Sequence, residues 1–254
     1  MRKVAEVTLI FWIMKICATT LGETAGDLLS MTMDVGYGVS SLILISFFLV
    51  TLIIQLVSKK YNPIVYWLVI LSTSTAGTTI SDYMDRTLEL GYATGSAILI
   101  GLVAIMLGIW WMTEKTLSVT DIKSFRPELF YWITILFSNT LGTALGDFLA
   151  DDSGLGFAGG AILIGSALLV LVLLNAYTKI SRILIFWIAF VLTRPFGATF
   201  GDLLTKPLEK GGLNLGTIGS SAVLFGILIA LVIYAHIEER KLHREMDTLN
   251  MGQK

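Results

Sequence analysis

Five acidic residues, Glu23, Asp27, Asp82, Asp147 and Asp202, stand in otherwise apolar stretches of this 254-residue chain. Carboxylates in such surroundings bind protons or hard cations. Each aspartate follows a tryptophan (Trp12, Trp67, Trp132, Trp187) by 15 residues and a glycine (Gly22, Gly77, Gly142, Gly197) by five. Positions four and eight before an aspartate share its helical face. These faces read Thr19, Glu23, Asp27; Ser74, Thr78, Asp82; Asn139, Thr143, Asp147; and Arg194, Ala198, Asp202, polar at eleven of twelve positions. Hydrocarbon penalises such a stripe, so it is expected to face a bundle interior or a water-filled passage.

The donor set narrows the chemistry. Carboxylate, hydroxyl and amide oxygens suit Mg²⁺, Ca²⁺, Mn²⁺ or Na⁺. The only histidines, His236 and His243, lie near the carboxyl end, and Cys17 is the single cysteine. This composition disfavours haem, copper and typical zinc sites and precludes an internal disulfide. Phosphate-loop, dinucleotide and Gly-x-Ser-x-Gly hydrolase signatures are absent, so an enzyme is not expected, nor a resident cofactor, nor a nucleic-acid partner.

Two basic residues share these apolar stretches. Lys15, three positions past Trp12, is expected to snorkel to the interface. Arg194, seven past Trp187 and beside Pro195, needs an anionic partner, for which Asp202, a neighbouring aspartate and Glu23 are the candidates. If all are ionised, the five acids exceed Lys15 and Arg194 by three charges. Protons or a bound cation are expected to neutralise that surplus, in competition with each other.

The elements that must position these groups follow from composition. The chain is 55% hydrophobic and 15% charged, well below the roughly one quarter charged of soluble domains. Eight apolar runs, about 5–29, 36–57, 63–83, 91–113, 128–149, 155–177, 183–204 and 214–235, are each long enough to span a bilayer as a helix. The expected fold is all-α and polytopic, one transmembrane domain over 1–235 followed by a charged cytoplasmic tail, 236–254.

Aspartate spacings of 55, 65 and 55 residues indicate a two-helix unit repeated four times, over about 5–58, 62–113, 126–178 and 181–235. An even number of crossings per unit makes the copies parallel. They are then related by fourfold or nested twofold pseudosymmetry about the membrane normal, unlike inverted repeats.

With the amino terminus inside, thirteen basic residues (Arg2, Lys3, Lys59, Lys60, Lys115, Lys123, Arg126, Lys179, Arg182, Arg240, Lys241, Arg244, Lys254) fall on the cytoplasmic side and three (Arg86, Lys206, Lys210) outside. Both termini are therefore expected in the cytoplasm. The tryptophans are expected to form an interfacial belt, which places each aspartate about 22 Å farther along its helix. Gly-x-x-x-Gly spacing (Gly22/Gly26, Gly142/Gly146, Gly197/Gly201), with Gly77/Ser81 in the second repeat, reads as close helix packing. The lengthened last loop, K-P-L-E-K-G-G-L-N-L, is the natural place for a gate.

The four blocks, especially S-N-T-L-G-T-A-L-G-D and L-T-R-P-F-G-A-T-F-G-D-L-L-T-K-P, resemble a bacterial family of membrane proteins defined by a repeat of unknown function, over nearly the whole chain. The resemblance implies the repeated membrane fold, in a bacterial inner membrane, and carries no activity. G-E-T-A-G-D and A-L-G-D are also similar to the Glu-x-Gly-Asp motif of manganese and calcium exchangers, with one more residue between acid and Gly-Asp and without the Lys-Thr that follows there.

The expected function is proton-coupled transport of a hard divalent cation, manganese export being one instance. Glu23, Asp27, Asp82, Asp147 and Asp202 would be the metal ligands, and Thr19, Ser74, Thr78, Asn139, Thr143 and Arg194 would line the pathway. A cation channel with a carboxylate ring and a non-transporting structural or signalling membrane protein are the alternatives.

Overall fold

The computed structural model describes residues 3–120 and 122–251, with side chains to residue 241. Arg2 and Lys254, and the side chains of His243 and Arg244, lie outside the described residues. Among the described residues eight long helices follow in order: α1 (Leu9–Asp27), α2 (Tyr37–Val57), α3 (Pro63–Asp82), α4 (Tyr92–Glu114), α5 (Phe125–Asp147), α6 (Gly156–Tyr177), α7 (Arg182–Thr205) and α8 (Thr217–Met251). Seven are long and apolar enough to cross a membrane; α1, diluted by Lys15 and Glu23, is the other. No strand occurs among the described residues. α8 continues past residue 235 as helix to Met251, carrying the described part of the charged tail with it.

Helix starts follow local chemistry. The Thr8 hydroxyl caps α1 by accepting from the Phe11 amide, and Asn62 caps α3 by accepting from Ile64, with Pro63 in the first turn. At the aspartate end, α1, α3 and α5 each run on into one π-helical turn, Leu28–Thr32, Tyr83–Thr87 and Phe148–Asp152, while α7 stays α-helical to Thr205. The return into α2 and α4 passes through Gly36 (φ 80°, ψ 156°) and Gly91 (φ 73°, ψ 152°), a conformation open essentially to glycine alone.

The odd helices form an inner ring: α1 packs on α3, α3 on α5, α5 on α7, and α7 on α1. Each even helix lies outside and leans on the odd helix of the next repeat, α2 on α3, α4 on α5, α6 on α7, with α8 returning to α1. Burial follows this division, 56–72% of the spans of α3, α5 and α7 against 17–33% for the even helices. Leu42, Ile53, Ile105, Ile162, Val172 and Val223 form part of an outward apolar surface of the kind that lipid solvates.

Small residues set the seams of the ring. Gly22 meets Ser74, Gly77 meets Asn139 and Thr140, Gly142 meets Arg194 and Pro195, and Gly197 meets Thr19. A Cβ on Gly77 would lie 2.9 Å from the Asn139 carbonyl carbon, so the backbones can approach only without it. The residue eight before each aspartate is therefore fitted onto the glycine of the preceding repeat.

At the opposite end of the ring the tryptophans do not form an outward belt. Trp67, Trp132 and Trp187 are buried and Trp12 partly so. Each meets the aromatic residue of the preceding repeat: Phe11 with Trp67 (5.6 Å between centroids), Tyr66 with Trp132 (5.4 Å), Tyr131 with Trp187 (6.3 Å) and Phe186 with Trp12 (5.8 Å). Tyr66 and Tyr131 share a hydroxyl–hydroxyl bond of 2.5 Å. The tryptophans belong to inner-ring helices, and packing ring on ring buries more surface than lipid headgroups offer.

Beneath this layer the segment before α1 crosses the bundle. Lys3 pairs with Glu128 and donates to the Leu56 carbonyl (3.0 Å), while Gln55 Nε2 donates to Glu128 Oε1 (2.8 Å) and to the Lys3 carbonyl (3.0 Å). Lys3, expected as a solvated cytoplasmic charge, is buried by these contacts.

Candidate functional site

The polar stripes converge inside the ring. Arg194 of α7 is fully buried and reaches the other three odd helices. Its Nη1 donates to Glu23 Oε2 (3.0 Å) and the Thr19 carbonyl (3.4 Å). Its Nη2 donates to Thr78 Oγ1 (2.5 Å), Thr143 Oγ1 (2.8 Å) and the Ser74 carbonyl (3.3 Å). The Thr78 and Thr143 hydroxyls lie 3.3 Å from Glu23 Oε2, completing a knot to which every repeat contributes. Of the three candidate partners for Arg194, Glu23 is the one paired with it.

Pro195 has no amide hydrogen, so the Val191 carbonyl loses its helical donor just where the arginine departs from α7. Thr19 and Ser74 enter with their carbonyls. The Thr19 hydroxyl bonds the Ile16 and Thr193 carbonyls instead, and Ser74 Oγ has no partner.

One layer toward the tryptophans, Asn139 accepts from Lys15 Nζ (3.3 Å) and donates to Thr73 (2.9 Å). Lys15 is fully buried and lies 4.1 Å from the Phe190 ring centroid. The expectation that it snorkels is therefore corrected. Its position on α1 faces the ring interior, and the amide oxygen and aromatic face receive the ammonium there.

The aspartate layer closes the other end. Arg86 Nε lies 3.1 Å from Asp82 Oδ1, and its Nη2 donates to Asp147 Oδ2 at 3.1 Å. Lys206 Nζ donates to Asp27 Oδ2 (2.5 Å) and lies 3.1 Å from Asp202 Oδ1. Two aspartate–cation–aspartate bridges result, one joining repeats two and three, the other joining four and one. Burial by itself would lower the Lys206 pKa, but Asp202 and Asp27 outweigh it and hold the ammonium above the ordinary lysine value.

Neither Arg86 nor Lys206 stood among the expected site residues, because both read as loop charges. Their signal was present: each is four residues past its aspartate, one helical turn, and the first and third repeats have Met31 and Asp151 there. With them the charge balance changes. If all are ionised, the five acids exceed Arg86, Arg194, Lys206 and Lys15 by one negative charge in place of three.

Glu23, Asp147 and Asp202 each bring one carboxylate oxygen within 4.8 Å of the others, all three residues being buried. Asp27 and Asp82 stand outside this triad and connect to it through Lys206 and Arg86. Asp82 Oδ2 is buried without a hydrogen-bond partner. All-oxygen donors at this separation match the chemistry of a hard cation.

No curated protein and no solved structure matches the chain. A family profile described as Repeat of Unknown Function (DUF347) matches four times, at residues 10–61, 65–116, 130–181 and 185–241, one match per helix pair. The chain, with its four helix pairs and their convergent stripes, belongs to that family.

Proposed function

We propose that this protein transports a hard divalent cation, Mn²⁺ being the representative case, in exchange for protons across a bacterial inner membrane. The observation that carries the reading is the buried triad of Glu23, Asp147 and Asp202, whose oxygens approach within 4.8 Å of one another between two tethered cations. Like charges held this closely bind protons or a cation, and the two compete.

In this reading the cation draws Glu23 away from Arg194 and Asp202 away from Lys206. Both basic groups take the carboxylates back when it leaves. The five acids exceed the four basic groups by one charge, and the proton that this surplus carboxylate holds in the metal-free state is released when the cation binds, which completes the coupling. The buried aromatic layer and Arg194 on the axis favour alternating access over an open carboxylate-ring channel. The chain acts as a carrier, without catalysis.

The same reading relates the four helix pairs by a fourfold axis along the membrane normal, reduced to twofold by the basic residues of repeats two and four. The cyclic order of helix and aromatic contacts supports it. In this reading both termini are cytoplasmic, and the excess of basic residues at the tryptophan end supports it.

A second reading, a static membrane scaffold, is favoured by one observation: each of the five acids already has a basic partner. Titrating Mn²⁺ into purified protein and following the free-ion paramagnetic resonance signal separates the two. Transport predicts saturable loss of the signal, weakened by acid and by Asp147→Asn or Asp202→Asn. An undiminished signal at millimolar protein supports the scaffold.

A further inference from the structure

Arg86 and Lys206 occupy the same place in their repeats and are held very differently. Arg86 sits within the π-helical turn Tyr83–Thr87, donates from Nη1 to the Tyr37 hydroxyl (3.2 Å), and lies between the rings of Tyr37 and Tyr92 (5.8 and 5.7 Å to the centroids). Its planar fork spans Asp82 and Asp147 from a fixed position.

Lys206 stands one residue past the end of α7 in extended backbone (φ −70°, ψ 154°), ahead of Pro207. The loop behind it is fastened, with Leu213 and Leu215 amides donating to the Leu203 and Leu204 carbonyls (2.7 and 2.9 Å) and Asn214 to the Lys206 carbonyl (3.0 Å). The part free to move is therefore the four-carbon side chain. A compact ammonium on a flexible stem exchanges partners more readily than a clamped guanidinium.

Lys206 also lies on Asp202, a member of the carboxylate triad, and on Asp27, which joins repeat one to repeat four. Arg86 keeps 29% exposure over Asp82 and Asp147, and Lys206 keeps 17% over two carboxylates that keep 4%. It covers them from the aspartate end.

We infer that Lys206 is a tethered cation that gates the aspartate end: it occupies Asp27 and Asp202 in the closed state and swings out to admit a cation between repeats four and one, while Arg86 remains a fixed strut. The inference rests on the transport reading for its purpose, but its geometry is testable without transport.

A Cys17→Ala protein carrying Thr143→Cys places a reporter thiol on the axis beside Arg194. The rate of its modification by a cationic methanethiosulfonate reagent is compared in the Lys206→Met and Arg86→Met backgrounds, which carry the same change of charge. Lys206→Met accelerates modification at least tenfold and Arg86→Met leaves it within twofold. Equal acceleration in both, or none in Lys206→Met, overturns the gate.

Thr78→Cys serves as the reporter should Thr143→Cys fail to fold. Manganese flux absent from a protein with a tenfold Lys206 effect removes the transport reading and leaves the gate.

Discussion

Breaking the Arg194–Glu23 pair from one side should cost more than removing it from both. The two side chains are 0% and 3% exposed and meet at 3.0 Å. With charge centres about 4 Å apart and an effective dielectric near 20, their attraction is of order 4 kcal/mol. Glu23→Gln leaves Arg194 fully buried with only neutral acceptors, Thr78, Thr143 and the carbonyls of Thr19 and Ser74. Arg194→Met leaves Glu23 with two hydroxyl donors. Each single change should destabilise the protein by about 3–5 kcal/mol, since it strands a charge away from water. Glu23→Gln with Arg194→Met strands none, and should recover at least about 2 kcal/mol relative to the sum of the single changes. Unfolding in mixed dodecylmaltoside and SDS micelles, followed by tryptophan fluorescence, supplies the three free energies. Additivity within about 0.5 kcal/mol would refute the claim that these groups act as one buried pair.

Three further outcomes are expected in the same unfolding assay. Gly77→Ala drives a methyl against the Asn139–Thr140 backbone at 2.9 Å and should cost about 1–3 kcal/mol, whereas Gly101→Ala and Gly108→Ala on α4, with open space around them, should be neutral or stabilising by up to about 1 kcal/mol. Gly36→Ala and Gly91→Ala should each cost about 1–3 kcal/mol although neither meets a neighbour within 4 Å, the penalty lying in positive φ with extended ψ. Lys15→Met should raise stability, because it replaces a buried ammonium held by one amide oxygen and a ring face; a loss above 1 kcal/mol would show that these two contacts outweigh burial.

The repeat was legible because two periods coincide in it. The tryptophan, glycine and aspartate recur at fixed offsets, and four-residue steps from each aspartate pick out the residues that meet at Arg194 and Glu23. A third repeated signal went unread: Asp34-Val35-Gly36, Glu89-Leu90-Gly91, Gly154-Leu155-Gly156 and Asn214-Leu215-Gly216 all pair a positive-φ residue with a positive-φ glycine two places on. These triplets start the even helices, and they locate the extra residues of the last loop before Asn214.

Which way a residue faces within the ring was less accessible. Trp132 and Lys15 read as interfacial because amphipathic side chains at helix ends usually reach the headgroups. Here helices α1 and α5 are enclosed by other helices, and no local pattern records that α8 closes onto α1. Arg86 and Lys206 were hidden by the convention that residues beyond an aspartate belong to a loop. Counting one more helical turn would have placed both over the carboxylates.

Manganese entry into proteoliposomes, measured by quenching of an enclosed metal-sensitive dye together with the internal pH, tests the central claim most directly. The account predicts saturable entry accompanied by proton movement in the opposite direction, both lost in folded, reconstituted Asp147→Asn protein. Entry no faster than into protein-free liposomes, with or without a pH gradient, would contradict it.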